Sequence, residues 1–224
     1  MTIEQMHLSF RSIGQMMGMQ NVRTAFAESI DICLNFAIIH KARRMVAENA
    51  TTSNDYIAKF NADISQLNSL RTLFDKKNKT IDSLTGEGTK LNPYSIVLDD
   101  ADVMYYTRFS LSYDGKNTND CRLLEADYLL RTLDDFCNRP TKKYPACVAI
   151  NINNKLNLEL YTGGNNKPTN IIYNYIRKPA TVIYDEENSE NNVDCDLPEY
   201  LHEEIVELAI QYYKSSFNVQ TTKN

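Results

Sequence analysis

The triplet His202-Glu203-Glu204 is the first place to look for chemistry, because a histidine beside two carboxylates begins a helical zinc motif. That motif needs a second histidine four residues on, so that both imidazoles share one helix face, and position 206 is valine. His7 and His40 fall in other predicted helices, so His202 reads as a surface residue paired with Glu199. The cysteines at 33, 121, 137, 147 and 195 include no pair at the CxxC spacing of zinc or redox sites. Odd in number and far apart, they fit reduced thiols rather than a disulfide framework. Cys33 lies in an apolar stripe and reads as core. The stretch GEGTK lacks the spacing of a phosphate-binding loop. Adjacent acids, Asp99-Asp100 and Asp134-Asp135, suit capping or solvation better than acid–base work. Arg43-Arg44 and the lysines at 76, 77 and 79 are able to touch phosphate, and Tyr105, Tyr106, Tyr173 and Tyr175 are able to stack on bases. Alternating tyrosines fit a sheet surface or an interface better. No catalytic, cofactor-binding or metal constellation emerges, and a non-enzymatic protein without cofactors is expected. A hydrolase with a cysteine nucleophile is the enzymatic rival, and one hyper-reactive thiol would reveal it.

The elements that position these residues follow from periodicity. Ile3, Met6, Phe10, Ile13 and Met17 recur at helical spacing, with Gly14 and Gly18 weakening the end of that first helix. A second helix, about Thr24 to Asn49, carries a broad apolar stripe of Phe26, Ile30, Cys33, Leu34, Ala37, Ile38, Met45 and Val46. A third is expected from about Asn54 to Lys76, with Tyr56, Ile57, Phe60, Ile64, Leu67, Leu70 and Phe74 on one face and the lysine cluster ending it. The pattern then becomes β-like. YSIVL and VMYYTRFSLSY are rich in β-branched and aromatic residues, and ACVAININNKLNLELY alternates on both sides of Asn153-Asn154, a pair suited to a tight hairpin turn. TNIIYNYIRKPATVIY is a further strand ending near Pro179, and Glu125 to Cys137 a short helix. In DLPEYLHEEIVELAIQYY, Asp196 reads as an N-cap and Glu199 as its capping-box partner, opening a last amphipathic helix. The expected fold class is α+β: a helical bundle from residues 1–85 and 196–224, an inserted antiparallel β region at 90–185 with one short helix, and a mobile acidic loop at 186–195.

Charge is uneven along a chain of net charge −5. Met1 to Thr80 holds ten Lys and Arg against seven Asp and Glu, whereas Asp185 to Glu207 holds ten acids and no Lys or Arg. Opposite patches of this kind steer association between subunits, and the acidic total argues against sequence-independent nucleic-acid binding. No apolar run approaches the roughly 18 residues that cross a bilayer, so no membrane partner is expected. The N-terminus shows neither the basic nor the apolar region of a secretory signal.

Three segments together resemble tail-adaptor or head-to-tail connector proteins of short-tailed bacteriophages, including ring proteins of crAss-like phages and the tail tubular protein A group. In ESIDICLNFAIIHKARRMV the resemblance rests on Glu28, Leu34, Asn35 and Ala37, with Ile30 displaced by one position. In YNYIRKPATVIY it rests on Tyr175, Arg177, Lys178 and Pro179. In the closing segment it rests on Leu197, Pro198, His202, Glu204, Ile205, Val206 and Ala209. The loop DEENSENN is longer than the resemblance leads one to expect. What it implies is a structural virion protein at the head–tail junction, assembled in the host cytoplasm. Such proteins form a ring, usually twelve-fold, that binds the portal and other tail proteins while viral DNA passes through the lumen. The alternative is another phage structural or DNA-packaging accessory protein that binds portal or nucleic acid. Candidate interface residues are Arg43, Arg44, Tyr175, Arg177, Lys178, Glu199, Glu203 and Glu207, with the acidic C-terminal region meeting a basic neighbour or the lumen.

Overall fold

Helix α1, Ile3–Met16, starts where Thr2 and Gln5 form a reciprocal capping box: Gln5 N donates to Thr2 Oγ1 and Thr2 N to Gln5 Oε1. Its apolar spacing buries Ile3, Met6 and Phe10 on one face. Gly14 lies within that helix as a close-packing position, since a Cβ there would stand 3.0 Å from the Val22 side chain. Helix α2 spans Ala27–Ala50 and buries Ile30, Leu34, Ala37, Ile38 and Ala42. The computed structural model describes residues 1–50, 70–81, 84–98, 100–115, 117–152, 155–164 and 166–218. The third helix expected from Asn54 lies mostly outside the described residues.

The chain divides into two units, Met1–Leu73 with Lys178–Asn224, and Phe74–Arg177. In the first, α1 and α2 pack against the last helix, His202–Asn218, through Ile205, Val206, Ala209, Ile210 and Tyr213. Phe10 meets Tyr213 edge to face at 5.6 Å. The last helix begins six residues later than the expected N-cap, after a short 3₁₀ turn at Glu199–Leu201. Asp196 caps a different backbone group: both its carboxylate oxygens accept from Ala180 N, at 3.1 and 3.2 Å.

The second unit holds seven strands: β1 Phe74–Thr80, β2 Tyr94–Leu98, β3 Val103–Ser112, β4 Thr118–Leu123, β5 Ala146–Ile152, β6 Lys155–Tyr161 and β7 Asn170–Arg177. A short helix, α3, Ala126–Asp134, joins β4 to β5; the terminal helix His202–Asn218 is then α4. The sheet order is β1-β7-β3-β4-β5-β6-β2, antiparallel except where β4 and β5 run parallel. The α3 crossover permits that parallel pair, because a parallel connection needs a long link rather than a tight turn.

This overturns the expected helical bundle with an antiparallel insertion. The sheet is mixed, curls into a half-barrel, and is the dominant element. The reason is visible at β1. FDKKNKT was expected to end a helix, but the free edge of β7 offers a ladder from Phe74↔Ile176 to Thr80↔Asn170, and tertiary pairing outweighs local propensity. The lysines that looked like a helix end sit on an outermost strand, where they discourage further pairing. Strand β4 was missed because TNDCRL buries only Cys121 and carries no alternating apolar signal. In contrast, β5 and β6 pair from Ile152↔Lys155 to Ala146↔Tyr161, so two residues separate the strands as their alternation required. Inside the curl, Tyr94, Ile96, Leu98, Phe109, Leu111, Leu158, Leu160 and Ile171 form the main core. Ala146, Val148 and Tyr161 point to the opposite face and pack with Leu129 and Leu133 of α3.

Candidate assembly surfaces

Helix α2 presents two polar side chains one turn apart, Asp31 and Asn35, and both grip the extended segment after Pro179. Asn35 pairs with Val182 as a strand neighbour would: Val182 N donates to Asn35 Oδ1 at 2.8 Å, and Asn35 Nδ2 donates to Val182 O at 3.0 Å. Asp31 accepts from Tyr184 N at 3.0 Å and from His7 Nε2 at 2.7 Å. His7 lies 4.5 Å, ring to ring, from Tyr184. Asp194 continues the pattern by accepting from Ile3 N at 2.6 Å. Backbone groups of an extended segment that face a helix have no ladder there, so side chains supply their partners.

A histidine hydrogen-bonded to a carboxylate is also the start of a catalytic dyad. Here His7 and Asp31 are 2% and 9% exposed, and Asp31 uses its second oxygen on backbone. The pair therefore positions the extended segment. Burial pushes the Cys195 thiol up to about 11, and burial also raises those of Cys33 and Cys121, the opposite of what a nucleophile needs. Among the described residues no group of three His, Cys, Asp or Glu side chains is placed to hold a metal ion. No helix among them is long and apolar enough to cross a membrane.

His202 corrects its sequence reading. It is 3% exposed and donates through Nε2 to Leu197 O at 2.8 Å, tying the start of α4 to the preceding turn. Glu199 instead pairs with the Met1 amino group at 2.9 Å, which holds its carboxyl below the usual range. The acidic loop is corrected as well. Asp185 accepts from Glu187 N, Asn188 N and Asn191 Nδ2, Asn192 Oδ1 accepts from Asp185 N, and Ile183 bridges Val193, which together close the loop into a fixed turn. Much of the acidic block thus serves the unit's own fold: Glu186 pairs with Arg11 and Glu204 with Lys41.

The remaining interface candidates separate clearly. Arg43 and Arg44 are exposed on α2, and Glu203 and Glu207 on α4. Arg43, Glu203 and Glu207 have no ion-pair or hydrogen-bond partner among the described residues. Arg177 ends the sheet unit and exposed Lys178 begins the helical one. Tyr175 is 2% exposed inside the curl, where its hydroxyl donates to Asp75 at 3.0 Å, so its ring offers no outer surface.

The outermost strands of the sheet are drawn together by side chains. Lys79 Nζ donates to Val97 O at 3.0 Å, and Lys77 Nζ donates to Asp100 at 2.8 Å. Tyr173 donates its hydroxyl to the other Asp100 oxygen at 2.6 Å. Burial opposes the charge on Asp100, but the bonds from Lys77 and Tyr173 outweigh it and hold the carboxyl below the ordinary range. The same bond raises Lys77, and burial with Asp100 raises Tyr173.

Two surfaces were not foreseen. On α2, Ile32, Phe36 and Ile39 are 57%, 61% and 38% exposed. The first two line a groove of about 690 Å³ whose walls include Phe26, Cys33, Tyr212 and Tyr213. In the sheet unit, the segment after α3 exposes Phe136 and Tyr144 with cations over rings: Arg139 over Phe136 at 5.1 Å, Lys142 over Tyr113 at 5.2 Å and Lys143 over Tyr144 at 5.5 Å. The signal for the first lay in the middle of α2, where from Ile30 to Ile39 only Asp31 and Asn35 are polar, more apolar surface than a single buried stripe needs.

No protein-family model matches this chain, and no curated protein matches it.

Proposed function

We propose that this chain is a structural virion protein that assembles into a ring adaptor between portal and tail, with a lumen for the viral genome. One observation carries the reading. The first and third segments behind the resemblance to phage connectors, and the part of the second from Lys178 on, are joined in one unit: Asn35 of the first bonds Val182 of the second, and α2 packs against α4 of the third. Asn35, one of the residues that carry the resemblance, therefore has a physical task, latching the extended segment to the helical unit. Arg44, Lys178, Glu203 and Glu207 supply exposed charges of opposite sign for contacts between neighbours, which in a ring are head-to-tail and close by rotation. Negative-stain microscopy of the purified chain, alone and with its portal, tests the reading. Rings of uniform diameter are expected on the portal; a chain that forms no ring there overturns it.

The second reading, an accessory protein that binds portal or nucleic acid without a ring, draws on the cation–aromatic segment from Phe136 to Tyr144. No acidic residue occurs from there to Leu158, and rings with adjacent cations suit stacked bases and phosphate. Salt-sensitive binding of DNA by chains that form no rings would favour it.

A further inference from the structure

We infer that the exposed face of α2 pairs with the same face of a second copy, the two helices antiparallel across a two-fold axis near Phe36. Ser29, Ile32, Phe36, Ile39 and Arg43 are spaced 3, 4, 3 and 4 residues apart, the interval that keeps one seam turned toward a partner helix. The core residues Ile30, Leu34, Ala37 and Ile38 occupy the other side of the helix and are fully buried, so this seam is a second apolar face. Ile32 and Phe36 each expose more than half their surface, where single exposed apolar residues are ordinary but a continuous stripe marks a contact.

The seam is self-complementary in only one direction. With a rise of about 1.5 Å per residue, an antiparallel copy centred on Phe36 sets Ile32 level with the partner's Ile39, within about 2 Å along the axis. It sets Glu28 level with the partner's Arg43 to the same tolerance. Glu28 flanks the seam, is exposed, and has no ion-pair or hydrogen-bond partner among the described residues; Arg43 has none either. A parallel copy would instead stack Arg43 on Arg43 and Glu28 on Glu28, and like charges face to face disfavour that register. Opposite charges at both ends and apolar residues between them commit the face to a second copy of this chain. The contact is isologous, whereas ring closure needs heterologous contacts, so the pairing stands or falls independently of the ring.

Sedimentation of the full-length protein, together with disulfide trapping, tests the pairing. The wild type is expected to sediment as a dimer, and Ile32→Asp with Phe36→Asp as a folded monomer with an unchanged circular dichroism spectrum. Arg43→Glu places Glu28 opposite a second acid and weakens dimerisation roughly tenfold, and adding Glu28→Arg restores it. Phe36→Cys in a Cys137→Ser background cross-links to itself on mild oxidation, whereas Leu8→Cys on the outer face of α1 does not. A wild-type monomer at the highest soluble concentration overturns the proposal, as does a dimer that survives Phe36→Asp or a charge reversal that Glu28→Arg fails to rescue. A monomer in which the thiol introduced by Phe36→Cys resists alkylation overturns it too, and assigns the face to another part of the same chain.

Discussion

The helical unit and the sheet unit use their polar side-chain contacts in different ways. In the helical unit they are dispersed, each aimed at one backbone group of the extended segment or of the chain beside it: Asp31 at Tyr184, Asn35 at Val182, Asp194 at Ile3 and Asp196 at Ala180. In the sheet unit they gather where the outermost strands approach, with Lys77, Lys79, Asp100 and Tyr173 substituting for a ladder. A segment crossing a helix has no regular hydrogen-bond partner, so its position depends on a few irreplaceable side chains. A sheet satisfies its own backbone, and its side-chain contacts only adjust the curl. The helical unit should accordingly fail locally and steeply, the sheet unit gradually.

The sharpest break in that contrast is Asp31→Ala. It leaves the buried His7 Nε2 and the half-buried Tyr184 N without acceptors, and a loss of about 3 kcal/mol in urea unfolding is expected. Asn35→Ala should cost about 2 kcal/mol. In both variants the amides of Val182 and Tyr184 should exchange with solvent much faster than those of β5 and β6. Equal acceleration everywhere would mean that the extended segment is not separately latched.

Asp100→Asn probes the sheet unit and should cost about 1–2 kcal/mol at neutral pH. Its carboxyl is depressed in the fold, so its contribution is present above the unfolded value of about 4 and disappears as pH falls through the lower folded value. The wild type should lose stability on acidification below about pH 4, and the variant should show a shallower loss over that window. An unchanged acid limb would remove Asp100 from the account.

Gly163 has φ +72°, and a Cβ there would lie 2.2 Å from Pro140 O. Gly163→Ala should cost about 1–2 kcal/mol, read as a lower midpoint without a change in slope. The smallest effect belongs to Glu187→Gln with Glu190→Gln, exposed acids whose side chains lie outside the hydrogen bonds made by Asp185. A change within about 0.5 kcal/mol is expected; a larger loss would give the acidic loop an electrostatic role that its closed turn does not require.

How much of this was legible varies with how local the cause is. The β5–β6 hairpin was readable because alternation reports one wet and one buried face, and the hairpin partner is adjacent in sequence. The stripe of α4 was readable in part: Ile205 and Ala209 are buried as expected, but Val206, Ile210 and Tyr213 complete the face, while Leu208 and Tyr212 lie at its edge. Strand β1 and the parallel β4–β5 pair were not readable, because pairing with distant β7 and crossing over through α3 leave no periodic mark. Asp31 left one faint sign, a carboxylate one turn before Asn35 beside an apolar stripe.

By itself the sequence determined where helical and pleated periodicities begin, which residues seek burial, and that charge is divided unevenly along the chain. Those properties follow from side-chain chemistry and spacing within a few residues. The tertiary structure alone decided what each polar group is for: His202 as an internal tie, the acidic block as turn builder and partner to the N-terminal helices, and Tyr175 as an inner wall of the curl. A carboxylate or imidazole meets its partner across 24 to 191 residues of chain in the bonds of His7 and Ile3, and such a meeting is fixed by how the elements pack.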